Sequence, residues 1–425
     1  MNNIFSTPFK YAEVIFIFCL AFMFRYLFSI FSGIDNFDGP DNYRYLVQSD
    51  AILEGNFNLQ EKLFITAPLF PYLLAFFKWA FASNYIIALE AFQIFLSSIS
   101  VIFLMLTSNL IFNNKRVALL TGLVFSMYPI TLYYAHQFSQ ESIFESLFII
   151  SIYFFSLFLS TRRYIDLIIF SIIYSLALLT KSIILLIFPF LILAMLFKFR
   201  LSAKTILQVC SSVLIIFVLT LPYGVYNKIV NNSYVIASSG QGGHFLTGHN
   251  DDFYIYVTNP PAKDSAEYQR LVNMEYKIFD ELDEKVKDRD HKYQQDTYLN
   301  AGIKWSLENP RKVLELTWIN FRNFVTPGFN FFHHPFHLWL LTFLMSLPIF
   351  IMAYLEIVRM LLAKPYDHLV IVSIFFGMLS VALIFYAQNR YRATTIEPYY
   401  LIYCSSFLVF LYDRFKKRIL NIKLF

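Results

Sequence analysis

Residues 85–112 read YIIALEAFQIFLSSISVIFLMLTSNLIF, an apolar run in which Glu90 is the one charged residue. A helix needs about 20 mostly apolar residues to cross a bilayer, so this run is long enough to span a membrane. Nine other runs are similarly apolar: 11–31, 117–134, 142–159, 165–180, 183–197, 205–223, 336–358, 369–386 and 397–411. The sequence therefore predicts an all-α polytopic membrane protein, a bundle of about ten transmembrane helices.

The composition agrees with a membrane protein. Of the 425 residues, 57% are hydrophobic and only 15% are charged, whereas soluble globular proteins average about 25% charged residues. The three cysteines lie inside apolar runs and have no partner at metal-ligand spacing. We therefore expect neither a disulfide nor a cysteine metal site. The first apolar run is too long for a signal peptide and has no small-residue cleavage site, so we expect it to be retained as a span.

The positions of the basic residues predict the orientation of the bundle. Lys or Arg occurs in every second connection between the predicted spans, at Lys10, Lys115, Arg116, Arg162, Arg163, Lys198, Arg200, Lys204, Arg359, Lys364, Arg414, Lys416, Lys417 and Arg418. Because short cytoplasmic loops are enriched in Lys and Arg, we expect both termini in the cytoplasm. The long segments 32–84 and 224–335 then lie on the opposite, outer face.

This topology divides the chain into three regions. Residues 1–223 form an N-terminal transmembrane module of seven spans that includes the first outer loop. Residues 224–335 form the second outer loop, and residues 336–425 form a C-terminal module of three spans. Within the second loop, Asn309 and Pro310 predict the N-cap and first residue of a helix. The apolar residues after them recur at helical spacing, which is typical of an amphipathic helix at a membrane surface.

The first outer loop contains the sequence DGPDNY at residues 38–43. Gly-Pro favours a turn, and Asp41 with Asn42 can cap a helix that starts at Tyr43. Alternatively, a carboxylate held at the membrane surface can act as a general base. Spacing alone does not separate these two roles for Asp41, and one residue can fill both.

Two further charged positions lie near the outer ends of predicted spans. Glu141 precedes the fourth span, and Glu145 follows one helical turn later on the same face. An acid at that depth is costly unless it is paired or faces a wet cavity, although Glu141 can also stabilise a helix N-terminus. Lys181 lies between the two short spans 165–180 and 183–197. It is either a snorkelling interfacial lysine or a point charge that neutralises a phosphate.

The sequence QNRYR at residues 388–392 places Arg390 and Arg392 in a very short outer connection. Outer connections are usually poor in arginine, and guanidinium groups bind phosphate bidentately. The pair therefore indicates an anionic partner, with capping of a span end as the alternative.

Three closely spaced histidines precede the eighth span, at His333, His334 and His337. Metal sites commonly use histidine, but no acid or cysteine lies beside these residues at ligand spacing. We favour packing at the membrane interface for them.

Seven motifs follow one another along the chain: PDNYRY at 40–45 with AILEG at 51–55, TAPLFPYLL at 66–74, YP at 128–129 with SQESIF at 139–144, LLTK at 178–181, SGQGGHF at 239–245 with TGHN at 247–250, WSLENP at 305–310, and RYR at 390–392 through Pro398. In this order they resemble the polyprenyl-phosphate-sugar-dependent glycosyltransferases of the GT-C superfamily. The most similar branch holds the protein O-mannosyltransferases and lipid A aminoarabinose transferases, of glycosyltransferase family 39 type. Many members have Asp-Glu where this chain has Asp41-Asn42.

The resemblance implies a GT-C-type bundle and an inverting sugar transfer from a polyprenyl-phosphate donor to a lipid, glycan or protein acceptor. In that reaction Asp41 would be the general base and Glu141 would shape the acceptor side. Lys181, Arg390 and Arg392 would hold the donor phosphate. The base role is carried to Asp41 alone, because Asn42 cannot take a proton as a carboxylate does.

Asp38, Tyr43 and His244 are further candidates for the same site, with Asp38 as the alternative base. We expect no metal and no cofactor. The expected partners are the lipid-linked donor, the acceptor and membrane lipids, with no nucleic acid. The expected location is a bacterial inner membrane, with both termini cytoplasmic and the site on the periplasmic face.

A transporter or flippase of a lipid-linked or anionic substrate is the alternative function. It would share the outer cations, but it also predicts charges near mid-membrane and pseudo-repeats, and neither is clear in the sequence. A sugar-chain ligase or polymerase would leave the acidic motif after the first span unexplained.

Overall fold

A computed structural model describes residues 9–33, 41–55, 66–232, 234–287, 289–328 and 336–422. The regular elements in these ranges are all helices. The first half contains α1 (Tyr11–Phe31), α2 (Asn42–Leu53), α3 (Leu69–Phe81), α4 (Tyr85–Phe112), α5 (Lys115–Ser126), α6 (Pro129–His136), α7 (Glu141–Thr161), α8 (Tyr164–Thr180), α9 (Phe188–Phe199) and α10 (Ala203–Asn231). The second half contains α11 (Gln241–Gly248), α12 (Asp251–Thr258), α13 (Ala266–Val272), α14 (Lys277–Val286), α15 (His291–Glu308), α16 (Pro310–Val325), α17 (Phe336–Ala363), α18 (Leu369–Ile384), α19 (Asn389–Thr395) and α20 (Glu397–Ile422).

Each of the ten predicted spans corresponds to helix in the structure. Within the described ranges, six stretches are long and apolar enough to cross a membrane, or seven if the bent pair α5 and α6 counts as one. The helices α8 and α18 are apolar but shorter. The prediction of an all-α polytopic membrane protein is confirmed, whereas length and composition do not establish the number ten.

Two breaks in the helices have identifiable causes. The axes of α5 and α6 differ by 51°, and the bend lies just before Pro129, the first residue of α6. Proline has no backbone N–H, so it cannot continue the hydrogen bonds of α5. The second break is at Lys181, whose backbone is extended, and a 3₁₀ helix (Ser182–Leu186) separates it from α9. The split predicted at Lys181 is present in the structure.

The helix α7 lies at the centre of the bundle. Of its most apolar stretch, 83% is buried, and it packs along both α4 and α8. The ring of Phe148 contacts those of Phe144, Tyr174 and Tyr399. Because a close-packed interior leaves little freedom, this packing fixes Glu141, the first residue of α7.

Three ion pairs join helices at one end of the bundle, the end at which α1 begins and α7 terminates. They link Lys115 to Glu13, Arg116 to Asp413 and Lys198 to Asp367. Their basic members belong to the set that predicts the cytoplasmic side. The end at which α7 begins carries a different group of charges, described below.

The segment predicted as the second outer loop contains the helices α11 to α16. Two of its glycines permit close contacts: a Cβ on Gly242 would lie 2.0 Å from the carbonyl oxygen of Gln295, and one on Gly248 would lie 2.1 Å from that of Phe385. The second contact matters for the site, because Phe385 directly follows α18 in the connection that leads to Arg390. Glycine at position 248 therefore allows α11 to pack directly against the connection between α18 and α19.

The loop differs from the sequence-based expectation at two places. The predicted span 205–223 continues as α10 to Asn231, with Pro222 inside the helix. The glycine-rich stretch at residues 238–243 is typical of turns, but α11 begins within it at Gln241. The predicted helix start at Pro310 is confirmed. Asn309, before it, makes no side-chain cap and donates instead to the carbonyl of Trp305.

Candidate active site

Four charged side chains meet at the end of the bundle where α7 begins. Arg390 Nη1 lies 3.0 Å from Asp41 Oδ2 and 3.7 Å from Glu141 Oε1. The same oxygen is approached by Lys181, whose Nζ lies 2.9 Å from Glu141 Oε1. The residues come from α2, α7, α19 and the break after α8. They form a continuous chain of alternating charge, which we call the acid–base cluster: Asp41, Arg390, Glu141 and Lys181.

Asp41 occupies the N-cap position of α2, but its side chain makes no cap hydrogen bond. Its carboxylate instead pairs with Arg390 and, at 3.6 Å, with Arg44 Nη1. The helix that carries it is anchored by Tyr45, whose buried ring packs 4.8 Å from that of Phe70 on α3. The Asp41 side chain therefore does not cap α2, and its role as a base stays a prediction.

Lys181 is enclosed by its neighbours and does not snorkel to the surface. Its residue is 5% exposed. Besides the pair with Glu141, its ammonium lies 5.5 Å from the ring centre of Phe144 and 5.0 Å from that of Tyr391. A buried ammonium between an acid and two aromatic faces is stabilised where it is. These contacts favour a role in fixing Glu141 over direct binding of a phosphate.

Arg392 points away from the acid–base cluster. Its guanidinium pairs with Glu397, at 2.7 Å, and donates to the backbone carbonyls of Asn323, Phe324, Thr326 and Gly328. Several of these carbonyls belong to the C-terminal end of α16, where helices leave oxygen atoms without partners and favour a cation. Glu397 also accepts from the hydroxyl of Tyr128. Arg392 thus clamps α16 to α20 and, through Tyr128, to the start of α6.

The further candidates differ in position. Tyr43 is 76% exposed on α2. His244 on α11 has an exposed surface but lies among many protein atoms near the arginines. The loss of water around the imidazole, followed by the charges of Arg390 and Arg44, lowers its pKa to about 4. The imidazole is therefore neutral near pH 7. Asp38 lies outside the described residues.

The buried residue Tyr45 of α2 also lies beside the acid–base cluster. Burial, together with the carboxylates of Glu141 and Asp41, raises the pKa of the Tyr45 hydroxyl well above its usual value. Tyr45 therefore stays a neutral phenol beside the two acids. Sequence reasoning quoted this residue only as part of a motif.

A second group of polar side chains lies one helical turn further along α7, around Glu145. Glu145 is identified from the sequence, but its neighbour Arg25 is not. Glu145 accepts from the hydroxyl of Thr131. The fully buried Arg25 of α1 donates to Ser97 Oγ at 2.7 Å. One atom of each charged group, Glu145 Oε2 and Arg25 Nη2, has no hydrogen-bond partner among the described residues. Arg25 could have been identified from the sequence, because a charged residue inside a predicted span is unusual and often functional.

An apolar groove lies far from these charges. It has a volume of about 460 Å³, runs between α1 and α5, and is lined by apolar side chains and Glu13 at the end opposite the acid–base cluster. Its lining suits a lipid chain and offers no group for chemistry. Among the described residues, no three His, Cys, Asp or Glu side chains are arranged to hold a metal ion. His333 and His334 lie outside those residues, as does the side chain of His337.

The cluster offers an exposed acid beside cations. The Asp41 side chain is 26% exposed and that of Arg390 is 33% exposed, whereas those of Glu141 and Lys181 are 5% and 6% exposed. Solvent or a substrate can therefore reach the first pair, while the second pair supports it from within. An accessible carboxylate can take a proton, and an accessible guanidinium can stabilise a developing negative charge.

Comparison with known proteins relates this arrangement to a family. Residues 66–226 match the family model of dolichyl-phosphate-mannose-protein mannosyltransferases. That range contains α3 to α9 and most of α10, and with them Glu141 and Lys181 of the cluster. No curated protein matches the sequence of the chain.

Two solved structures of one oligosaccharyltransferase share the fold of this chain, and a third structure is similar at a lower score. The oligosaccharyltransferase AglB from Archaeoglobus fulgidus in the apo form has a TM-score of 0.58 at 14% identity, over 97% of this chain and 52% of that one. Its complex with an inhibitory peptide and a dolichol-phosphate has a TM-score of 0.56 at 13% identity, with the same coverage. ArnT from Cupriavidus metallidurans bound to undecaprenyl phosphate covers 88% of this chain and 77% of its own at 15% identity, with a TM-score of 0.39.

The chain spans about half the length of the oligosaccharyltransferase that it matches. The match of residues 66–226 to this family model and the fold shared with the oligosaccharyltransferase agree with the predicted resemblance to the GT-C glycosyltransferases.

Proposed function

We propose that this chain, a polytopic membrane protein with the fold of the GT-C glycosyltransferases, transfers a sugar from a polyprenyl-phosphate donor to an acceptor. The acceptor is a lipid, a glycan or a protein, and the reaction takes place on the non-cytoplasmic face of the membrane. The observation that carries the proposal is the convergence of Asp41, Arg390, Glu141 and Lys181 at one end of the bundle.

Asp41 is the proposed general base. Its carboxylate takes the proton from an acceptor hydroxyl or amine, and the freed electron pair of that oxygen or nitrogen forms a bond to the anomeric carbon of the sugar. The bond between that carbon and the phosphate oxygen breaks, and polyprenyl phosphate leaves with the electron pair. Attack from the face opposite the leaving group inverts the configuration at the anomeric carbon. A positioned base contributes roughly 10²–10⁴-fold to such a rate.

Arg390 is the proposed partner of the leaving phosphate. Its guanidinium lies beside the base and is partly exposed, so it can contact a phosphate that enters next to Asp41. Electrostatic stabilisation of the charge that develops on a leaving group often accounts for much of an enzyme's rate enhancement. Lys181 remains in the proposal as a source of positive charge behind Arg390, acting through Glu141.

Glu141 is proposed to position the cations. The sequence-based interpretation gave it the acceptor side of the site. Its buried carboxylate contacts both Lys181 and Arg390, so its removal would leave two cations without their shared partner. The location of this site on the periplasmic face of a bacterial inner membrane follows from the distribution of basic residues and belongs to the same proposal.

A transfer assay tests the function. The full-length protein, purified in detergent, is given polyprenyl-phosphate sugars and a panel of acceptors, and the release of polyprenyl phosphate is measured. Lipid and glycolipid mass spectra of cells with and without the gene identify the acceptor, and NMR of the product reports the anomeric configuration. Release with inversion is expected. If no acceptor supports release while the spectra of the two cell types are identical, the proposal is wrong.

A further inference from the structure

Asn42 is a buried amide that follows the proposed base and begins α2. Its residue is 5% exposed. Neither the amide oxygen nor the amide nitrogen has a hydrogen-bond partner among the described residues. Buried polar side chains are nearly always hydrogen-bonded, because an unmade bond leaves the loss of water uncompensated. An amide with all its hydrogen bonds unmade, directly beside Asp41, therefore points to a partner that comes from outside the protein.

The other acid of the cluster has similar neighbours. Ser142, directly after Glu141, is 1% exposed, and its hydroxyl has no partner within the described part of the chain. Directly before Glu141, the amide oxygen of Gln140 is also buried and without a partner there, and the Gln140 side chain does not cap α7. Asn42, Gln140 and Ser142 carry no charge, and we call them the neutral polar set.

Packing brings α2 close to the start of α7. Asn42 and Tyr45 are three residues apart on α2, so they lie on one face of that helix. The ring of Tyr45 packs on that of Phe70, whose centre lies 6.0 Å from the ring centre of Phe138. Phe138 is two residues before Gln140 in the connection that leads into α7. The face of α2 that carries Asn42 is therefore packed, through aromatic rings, against that connection.

The acid–base cluster joins the same two places. One nitrogen of Arg390, Nη1, lies 3.0 Å from Asp41 Oδ2 and 3.7 Å from Glu141 Oε1. Each member of the neutral polar set is next in the chain to one of these two acids. The set therefore lies around the point where Arg390 meets both acids, and the 26% exposure of the Asp41 side chain lets a ligand reach it.

The chemistry of the neutral polar set favours sugar hydroxyl groups. An amide offers N–H donors and a carbonyl acceptor, and a serine hydroxyl both donates and accepts. A ligand hydroxyl also does both, so two adjacent hydroxyls of a ring can satisfy the N–H and the oxygen of Asn42 together. In the proposed reaction the anomeric carbon lies between an acceptor at Asp41 and a phosphate at Arg390. The hydroxyls of that sugar ring then lie beside the set.

We propose that Asn42, Gln140 and Ser142 form a subsite for the hydroxyl groups of the transferred sugar, and that Asn42 selects the sugar. This inference rests on the proposed function and deepens it, because it assigns the substrate class, a neutral sugar with free hydroxyls. Asn42 cannot replace a carboxylate as a base, but a hydrogen-bonding role needs no proton transfer.

Thermal unfolding tests whether the amide of Asn42 serves the protein or a ligand. Leucine has nearly the shape of asparagine and no polar side-chain atom. Because a buried amide without a partner is unfavourable, Asn42→Leu should melt at the temperature of the wild type or above it. The matched control is Gln48→Leu, which removes a buried amide of the same helix that donates to Thr66 Oγ1 at 2.9 Å. Gln48→Leu should melt at a lower temperature.

Binding of sugar-linked isoprenyl phosphates tests the subsite without any transfer. The full-length protein in detergent is titrated by calorimetry with farnesyl phosphates linked to mannose, glucose or galactose. Methyl farnesyl phosphate is the reference, since it is a phosphodiester of the same charge without a sugar. The wild type should bind at least one sugar-linked ligand more tightly than the reference. Asn42→Leu should weaken binding of that ligand by about tenfold, the size expected for one or two lost hydrogen bonds, and should bind the reference unchanged.

Two further variants sharpen the test. Asn42→Asp keeps an acceptor but loses the N–H donors, so it should also lose the preference for the sugar. Ser142→Ala, which removes a single hydroxyl, should weaken binding of the sugar-linked ligand by only about threefold. Gln48→Leu should keep the preference of the wild type, although its melting temperature is lower.

The outcomes separate this inference from the proposed function. If Asn42→Leu melts as low as Gln48→Leu, its amide bonds within the protein and the subsite is overturned. Unchanged melting with equal affinity for every sugar-linked ligand means that ordered water alone meets the amide, which also overturns it, as does a wild type that prefers none of the three sugars. A preference that Asn42→Leu loses, in a protein that releases no polyprenyl phosphate with any acceptor, supports the subsite and overturns the transferase.

Discussion

Replacing Arg392 with methionine separates two roles for this arginine. The sequence suggested that it binds donor phosphate, whereas its contacts in the structure tie α16 to α20. The side chains of Arg392 and Glu397 are 3% and 2% exposed, so methionine would leave the Glu397 carboxylate buried without its cation. Removing one partner of a buried pair costs about 3–5 kcal/mol. The end of α16 would lose its hydrogen-bond donors at the same time.

The measurement is thermal unfolding of the full-length protein in detergent at a fixed scan rate, since unfolding of such a protein is often irreversible. We expect Arg392→Met to lower the melting temperature by roughly 5 °C or more. The melting temperature of Arg392→Lys should lie between those of Arg392→Met and the wild type. An ammonium group can still pair with Glu397, but it cannot also donate to the separate carbonyls. In Arg392→Met/Glu397→Gln the buried charge is gone, so the double variant should be more stable than Arg392→Met alone.

Arg390→Met is the matched control, since it changes the neighbouring arginine of the same helix. It should alter the melting temperature less than Arg392→Met does, and it should weaken binding of an isoprenyl phosphate more. The structural role of Arg392 is refuted if Arg392→Met melts as the wild type does and its main defect is in phosphate binding. That result would restore the interpretation of Arg392 as a phosphate ligand.

Three other predictions follow from single contacts. Lys181→Met should lower both the melting temperature and the transfer rate, because its buried carboxylate partner loses a cation, and Lys181→Arg should retain more of each. Gly248→Ala should reduce activity and stability, since its Cβ would lie 2.1 Å from a backbone carbonyl, whereas Gly243→Ala, with no neighbour closer than 3.9 Å, should behave as the wild type. His244 should stay neutral at pH 6 in an NMR titration of labelled histidine, and Arg390→Gln should raise its pKa. Because the unfolded chain binds that proton more readily, the contribution of His244 to stability should fall as the pH is lowered from 6.5 towards 4.

The helices were largely predictable because apolar length is a strong signal in membranes. The opening run 85–112 is α4 with the same bounds, and the predicted spans 165–180 and 183–197 are separated at Lys181, as the sequence indicates. The bend before Pro129 is not predicted, because the apolar run 117–134 continues through that proline. The number of true spans is less predictable, because α8 and α18 are short and α5 and α6 are bent.

The sequence did not predict that Arg390 and Arg392 contact different partners, although their spacing of two residues could have indicated it. The sequence predicts a short connection that contains Arg390 and Arg392, and in the structure residues 389–395 form α19. Residues two apart on a helix do not share a face, so Arg390 and Arg392 point to different partners. Knowing that the segment is helical would have ruled out a single ligand held by both.

The role of Asp41 depended on a distant partner. A cap and a base look alike in a six-residue window, and the contact of Asp41 with Arg390 joins residues 349 apart in the sequence. Arg44 was overlooked for a similar reason: its position one turn after Asp41 is visible in the sequence, but its exposure is not.

The proposed mechanism depends most directly on Asp41, and one comparison of rates tests it. Asp41→Asn and Asp50→Asn change two acids of the same helix, and Asp50 pairs at 2.6 Å with Lys78, away from the acid–base cluster. Release of polyprenyl phosphate from a polyprenyl-phosphate sugar is measured for both variants and the wild type, at donor concentrations that saturate each protein. We predict a loss of about 100-fold or more for Asp41→Asn and a rate near that of the wild type for Asp50→Asn. A full rate in Asp41→Asn would contradict the assignment of the base and with it the proposed mechanism.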